Sequence, residues 1–531
     1  MKFLDFKKLK TSFKDYLNTF FCQNSIKLSY QNLIIILILL MILIIRLYYI
    51  NTSPIDRTAW KEIDYIAISK NYLANGFNFF KPTITWPADP PRVTAMEFPL
   101  VPYLASLLYY FFRFSVYTVR MVTLIASLVT IILVFKLVKK ELGQIPALLA
   151  ALSSGLLPLN SFFNKFLFSE PSLIAFSLLA IYYFSKWMDS HKNEHIILAT
   201  FGFTMAILLK LTPLYLSIIF LGLFIYKYKF DYLKYKPLIL FGLASIVLPI
   251  AWYSYAYYLT YHSIDVFGIF KGHDKFQTFG MLSSKKWYLL MGKSLLNLCG
   301  GKLGVFLIGV GFFGLMIARR GLLFFLYLAA ILFYFVVVAE GNIDGPYRQL
   351  VIAPVLSCFM AIGAISLMYP VSLIAKFSKK NQPVIYFSLS LLIVLAIQFR
   401  HFDLTTTNST APVYMQEWQL ASIVKKYSNT NSKMVTLGAY SLNKGGNDVS
   451  PVIYYYTGIQ GWTLQKNEWN VDTVEKLKNK GADLLVGYNL YREPGLIEFA
   501  SELKKIFPVL FENKDEGWII LSLKGQPKNQ P

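Results

Sequence analysis

Cysteine is nearly missing from this chain. Cys22, Cys299 and Cys358 are the only three in 531 residues, too few and too scattered for a disulfide framework or a paired-cysteine metal site. Charge is scarce as well: charged residues make up 15% of the chain, where a water-soluble domain carries about a quarter, and hydrophobic residues make up 55%. That excludes an ordinary cytosolic enzyme and places most of the chain in a bilayer. Acids are the scarcer sign, 29 against 52 lysines and arginines, and the resulting +23 would suggest nucleic acid in a soluble protein. Here the basic residues flank long apolar runs, so lipid headgroups and cytoplasmic loops account for them and no nucleic acid partner is expected. The five histidines lack HExxH spacing, which leaves no motif for a metal centre.

What is present is a succession of apolar runs. Residues 1–31 are polar and lysine-rich, and a run at 33–50 follows that is long enough to span; no small-residue cleavage site accompanies it. Lys136/Lys139/Lys140, Lys186/Lys192, Lys227/Lys229/Lys234/Lys236, Arg319/Arg320 and Lys376/Lys379/Lys380 fall at alternate connections. Because lysine and arginine collect on the cytoplasmic side, this pattern predicts about eleven crossings, a cytoplasmic N-terminus, and an outward placement for 51–118 and everything after 400. The apolar stretch 99–112 would put later basic clusters on the wrong face if it crossed, so it reads as an interfacial or re-entrant helix.

After 400 the composition changes abruptly. Short apolar runs at 434–437, 483–486 and 518–523 alternate with polar helix-like stretches, the pattern of a small α/β domain. The expected organisation is a cytoplasmic segment 1–31, a transmembrane domain 32–400 with outer loops 51–118 and 259–300, and an extracytoplasmic α/β domain 401–531. Gly309-Val310-Gly311-Phe312-Phe313-Gly314 spells a dinucleotide-binding fingerprint but lies inside an apolar span with no preceding strand. Close packing of helices is the better reading.

The central portions of the spans are nearly free of ionisable residues, which speaks against a proton-coupled carrier. Their outward ends, by contrast, hold Arg120, Lys165, Lys210 and Arg348. Cations on the disfavoured face need an anionic partner, and a lipid phosphate supplies one; snorkelling or pairing with nearby acids is the alternative. Acids share that layer: Asp56, Asp64 and Glu97 in the first loop, Glu170 at the start of a span, and Glu340 and Asp344 before Arg348. A carboxylate at a water–membrane boundary can take the proton from a hydroxyl as its oxygen attacks. One such base is enough for an inverting glycosyl transfer from a phosphate, without the paired carboxylates of glycoside hydrolases.

Several of these strings resemble the GT-C membrane glycosyltransferases, specifically relatives of the protein O-mannosyltransferases and of the lipid A aminoarabinose transferase. They are Asp64-Tyr65-Ile66-Ala67-Ile68-Ser69, Glu97-Phe98-Pro99-Leu100, Arg120, Pro158-Leu159-Asn160 with Lys165, Glu170-Pro171, Leu209-Lys210-Leu211-Thr212-Pro213, and Tyr347-Arg348-Gln349-Leu350. The resemblance implies a mainly α, polytopic membrane protein that transfers a sugar from a polyprenyl-phosphate donor, usually with inversion, on the outer face of a bacterial membrane or in the ER lumen. Abundant Lys, Asn and Ile suggest an AT-rich bacterial genome, and with it the bacterial cytoplasmic membrane. The acceptor is a lipid, a glycan or a protein. The resemblance assigns the base to Asp64, with Asp56 as rival, and the lipid phosphate to Arg120, Lys165, Lys210, Tyr347 and Arg348, with Glu170 beside them. Where many relatives have Lys-Pro-Pro-Leu, this chain has an acid at Glu97, which is expected to meet the acceptor, a divalent metal or a basic neighbour. The 259–300 loop, with Lys271, His273 and Lys275, is a candidate lid. A flippase or transporter of lipid-linked sugars is the competing reading, and a non-enzymatic scaffold a third.

Overall fold

The computed structural model describes residues 6–21, 28–56, 59–90, 92–229, 236–271, 278–374, 382–409, 413–429, 431–437, 450–491 and 494–524. His273, Lys275, Lys234 and the Lys376/Lys379/Lys380 cluster lie outside them. The chain is mostly helical, with one five-stranded sheet in its last quarter. It forms two compact units: unit 1 is Met1–Asn51, Arg120–Trp252 and Asp274–Asn408, and unit 2 is Thr52–Val119, Tyr253–His273 and Ser409–Pro531.

Among the described residues, five helices are long and apolar enough to cross a membrane: Ser29–Tyr48, Val116–Leu142, Lys236–His262, Gly301–Ala318 and Pro346–Ile374. Six more are apolar but span only 10–17 residues: Leu100–Phe112, Gln144–Leu156, Asn193–Leu209, Thr212–Tyr228, Leu322–Val337 and Ile385–Phe399. The mainly α, polytopic class expected from the sequence is the class found. The apolar stretch expected at the interface forms the helix Leu100–Phe112, in unit 2, which leaves Tyr110, Phe111 and Phe112 exposed.

In unit 1, the helices Gln144–Leu156 and Ala353–Leu367 are apolar on every side and buried along almost their whole length, as helices at the centre of a bundle must be. The second of these packs on Gly301–Ala318 through glycine. A Cβ on Gly311 would overlap the carbonyl oxygen of Phe359, and one on Gly363 would overlap that of Leu307. Gly314 faces Ser366, whereas Gly309 has open space around it. The packing reading of the glycine string therefore holds for Gly311 and Gly314, and Gly309 takes no part in it.

Unit 2 contains the sheet. Its strands are β1 (Lys433–Leu437), β2 (Gln460–Thr463), β3 (Leu484–Gly487), β4 (Val509–Asn513) and β5 (Trp518–Ser522), in the order β2-β1-β3-β5-β4. β1 pairs in parallel with β2 and β3, while β5 is antiparallel to β3 and β4. Side chains alternate between faces along each strand. Val435, Leu437, Leu485, Ile519 and Leu521 meet the helices Val471–Asn479 and Leu496–Ile506. Met434, Leu484, Val486, Trp518 and Ile520 meet Met415–Val424 and Val452–Thr457. Both faces are thus covered, which is why the central strands read as continuous apolar runs. The first loop joins this sheet: the Ala88 N–H donates to the Gly461 carbonyl at 2.9 Å, and the Asp89 carboxylate accepts from the Trp462 indole and from Lys480, each at 2.9 Å.

Adding a methyl group at Gly311 or Gly363 forces two helix backbones apart. We expect Gly311→Ala and Gly363→Ala each to destabilise the protein by about 1–3 kcal/mol, and Gly309→Ala to be nearly neutral, in thermal unfolding of the detergent-solubilised chain. Equal effects at all three positions would contradict the packing described.

Candidate active site

Each unit gathers part of the set of residues expected from the sequence. In unit 1 Arg120 lies in the first turns of Val116–Leu142, and the other polar members stand where helices break, the places where an apolar bundle can accommodate them. Lys165 follows the short helix Pro158–Phe163, and Glu170 opens Glu170–Ser190. Lys210 is an extended residue between Asn193–Leu209 and the 3-10 turn Thr212–Tyr215, where Pro213 prevents the helix from continuing. Tyr347 and Arg348 lie in the 3-10 turn Pro346–Ile352 that leads into Ala353–Leu367.

These breaks converge on a set of aromatic rings. The Arg120 side chain is completely buried, donates to the Ile50 carbonyl at 2.7 Å, and lies 5.5 Å from the centre of the Phe166 ring. Lys165, also buried, sits 4.8 Å from the same ring and 4.9 Å from that of Phe162. Lys210 forms an ion pair with Glu170 and stands 5.4 Å from the Tyr347 ring, while Arg348 lies 5.4 Å from that ring on its guanidinium side and donates to the Gly341 carbonyl. Phe168 and Phe163 pack on Tyr347 at 5.2 and 6.3 Å, which ties the two halves of the cluster together. Arg120, Lys165, Glu170, Lys210, Tyr347 and Arg348 are therefore one cluster, with four cations to a single carboxylate. Aromatic faces hold cations through their quadrupoles, and guanidinium and ammonium groups are the donors that recognise anionic oxygens.

In unit 2 the helix Ala59–Ala74 carries the candidate base. Asp64 is 2% exposed on it, and Asp56, 4% exposed, lies just before its start, where its carbonyl accepts from the Ala59 N–H. Burial pushes the Asp64 carboxyl well above the usual carboxylate range, and the neighbouring Trp86 side chain works against that shift. Neither Asp64 Oδ1 nor the Trp86 indole N–H completes a hydrogen bond among the described residues. Glu97 is half-buried near the Tyr253 hydroxyl, which Tyr65 also approaches, and Tyr65 meets Phe267 edge-on at 5.7 Å. Asp64 is thus a buried acid with an unused acceptor oxygen beside the Trp86 indole. That environment raises proton affinity and suits a general base.

Three residues of this region escaped the sequence reading. Glu62 is fully buried in the same helix, but two positions from Asp64 it points to a different side. Trp86 carried no motif. Lys70 sits 3.6 Å from the centre of the Phe114 ring, and burial, then the charge of Lys425, lowers its ammonium to about 8. Lys271 of the expected lid donates to the Thr260 carbonyl at 3.2 Å and lies over Tyr261. No three His, Cys, Asp or Glu side chains among the described residues converge on a metal position.

Comparison with known proteins bears on this arrangement. Residues 91–254 match the family described as dolichyl-phosphate-mannose-protein mannosyltransferase, and no curated protein matches the chain. Among solved structures, the chain is similar to ArnT from Cupriavidus metallidurans in the apo state, with a TM-score of 0.65 and 12% identity over 93% of this chain and 99% of that one. The same protein bound to undecaprenyl phosphate matches at a TM-score of 0.62 and 10% identity, over 93% and 99%. The Archaeoglobus fulgidus oligosaccharyltransferase in the apo form matches at 0.53 and 12%, over 87% of this chain and 70% of that one. With helical architecture, terminal sheet and matched segment taken together, the chain has the fold of the GT-C membrane glycosyltransferases.

Proposed function

We propose that this protein is a membrane glycosyltransferase that moves a sugar from a polyprenyl-phosphate donor to a lipid, glycan or protein acceptor. The observation that carries the reading is the unit 1 cluster: four cations set against aromatic rings, three of them beside helix breaks and Arg120 near the start of its helix. An isoprenoid phosphate combines the two chemistries that such a place can hold, an apolar chain and an anionic head. The likeness of the fold to ArnT, solved with undecaprenyl phosphate, supports the same donor class. The basic connections support an N-terminus on the cytoplasmic side of a bacterial membrane, with transfer on its outer face.

In the reaction, the acceptor oxygen attacks the anomeric carbon while the bond from that carbon to the phosphate oxygen breaks. The acceptor proton passes to the Asp64 carboxylate, the polyprenyl phosphate leaves, and the anomeric configuration inverts. Arg120, Lys165, Lys210 and Arg348 stabilise the charge that grows on the phosphate. Glu170 holds Lys210 in position, Tyr347 supplies the platform between Lys210 and Arg348, and Glu97 orients the acceptor.

Purified protein in lipid nanodiscs, offered radiolabelled polyprenyl-phosphate sugars and membrane extract, should transfer sugar. Asp64→Asn should lose about a hundredfold or more of that turnover while donor binding persists. If only Asp56→Asn is dead, Asp56 is the base; if labelled donor crosses vesicles but no acceptor is glycosylated, the flippase reading takes over. Replacing Arg120 or Lys165 by Met should weaken donor binding about tenfold or more, and combining the two should exceed either. Activity should rise with pH through the Asp64 titration, because the base works only when deprotonated, with a midpoint above the ordinary carboxylate value of about 3.9. Trp86→Phe removes the group that opposes the burial effect, so the acid limb should move further up in pH. A limb that stays in place would disconnect Asp64 from the rate.

A further inference from the structure

The terminal α/β portion of unit 2 has a cavity of about 570 Å³ that the transfer chemistry does not use. Its lining includes three aromatic side chains, Trp418, Tyr456 and Trp518, together with Lys425, Asn513 and Glu516. Trp418 projects from the helix Met415–Val424 with 44% of its surface exposed, an unusual position for a large apolar ring. Asn513 ends β4 and Trp518 begins β5, so the hairpin between them forms one wall; the Asn513 side-chain oxygen accepts from the Glu516 N–H and fixes the turn. Trp518 is 6% exposed, and its indole N–H meets no acceptor among the described residues.

The chemistry of this lining is specific. One ammonium and one carboxylate cancel, so the cavity has no excess charge with which to select a phosphate or a nucleic acid. Among the described residues neither Lys425 nor Glu516 is in an ion pair, so both remain available to a ligand. The volume lies within the roughly 300–1,000 Å³ typical of small-molecule sites. Aromatic faces flanked by an amide, a carboxylate and an ammonium suit a ligand with C–H faces on one side and many hydroxyls on its rim. We propose that this cavity binds a neutral oligosaccharide, stacked on Trp418 and hydrogen-bonded by Asn513, Glu516 and Lys425, and that it holds the glycan acceptor of the transferase. The second clause rests on the transferase reading; the first does not.

Binding is therefore measured without donor. The full-length protein in nanodiscs is mixed with oligosaccharides released from bacterial envelope polysaccharide, with maltotriose, mannotriose and chitotriose, and with an uncharged tyrosine-containing pentapeptide. Saturation transfer from protein to ligand protons is then read by NMR. We expect transfer to pyranose ring protons of at least one sugar, an apparent affinity about tenfold weaker in Trp418→Ala, and near-native affinity in Trp418→Phe, which restores the stacking face. Lys425→Met, at an exposed lining position with no ion pair among the described residues, should weaken binding as well and guards against a folding artefact in the Trp418 variant. If no sugar binds, or if sugar binding is indifferent to both substitutions, the proposal falls. Binding of the peptide alone, lost in Trp418→Ala, would overturn the carbohydrate class in favour of a protein segment. Sugar transfer that fails while sugar binding survives would count against the transferase reading and leave the cavity's assignment standing.

Discussion

An ammonium group cannot be taken into an apolar bundle unless something there answers its charge, and the arrangement of unit 1 follows from that requirement. Glu170 answers Lys210, and aromatic faces answer Arg120, Lys165 and Arg348. Arg120 reaches its ring from the first turns of Val116–Leu142, whereas Lys165, Lys210 and Arg348 stand beside helix breaks. Pro158, Pro171, Pro213 and Pro346 all lie at or beside those breaks. The breaks at Pro213 and Pro346 end the helices Asn193–Leu209 and Leu322–Val337 or begin the ones that follow them. Close contact through Gly311 and Gly363 then lets the broken elements pack around a fully buried central helix.

Unit 2 solves the complementary problem. A buried carboxylate holds on to its proton more firmly than an exposed one, and Asp64 is buried beside the Trp86 side chain. A base in that setting is stronger than an aspartate in water, at the cost of being protonated over a wider range of pH. Trp86 moderates this by supplying a dipole without a charge.

Much of this could be read along the chain. Arg120, Lys165, Lys210 and Arg348 stood out because cations at outward helix ends violate a composition rule, and the structure brings them together with Glu170 and Tyr347. The runs at 434–437, 483–486 and 518–523 are β1, β3 and β5, central strands whose two buried faces demand continuous apolar sequence. β2 and β4 are the sheet edges, with polar residues such as Gln460, Glu512 and Asn513, and they left no such signature. Glu62 and Trp86 were illegible for another reason: burial is decided by residues distant in sequence, and no local pattern reports it. The same holds for the Trp418 cavity, whose walls come from three separate segments. Gly309 shows the reverse error, since a matching string does not reveal which of its glycines faces a neighbour.

The bond between the Trp462 indole and Asp89 joins residues 373 positions apart. With the Ala88 to Gly461 hydrogen bond, it covers the edge strand β2 with a segment made long before that strand exists. Unit 2 therefore cannot be completed while the chain is still being synthesised. The first loop must wait through the insertion of nearly every membrane helix before its partner arrives, and the non-local pairing that results is intrinsically slow. Until then the loop presents unpaired backbone groups to anything nearby. A chain cut short before residue 460 would lose more than its tail: the segment beside Asp64 would be left without the sheet that anchors it.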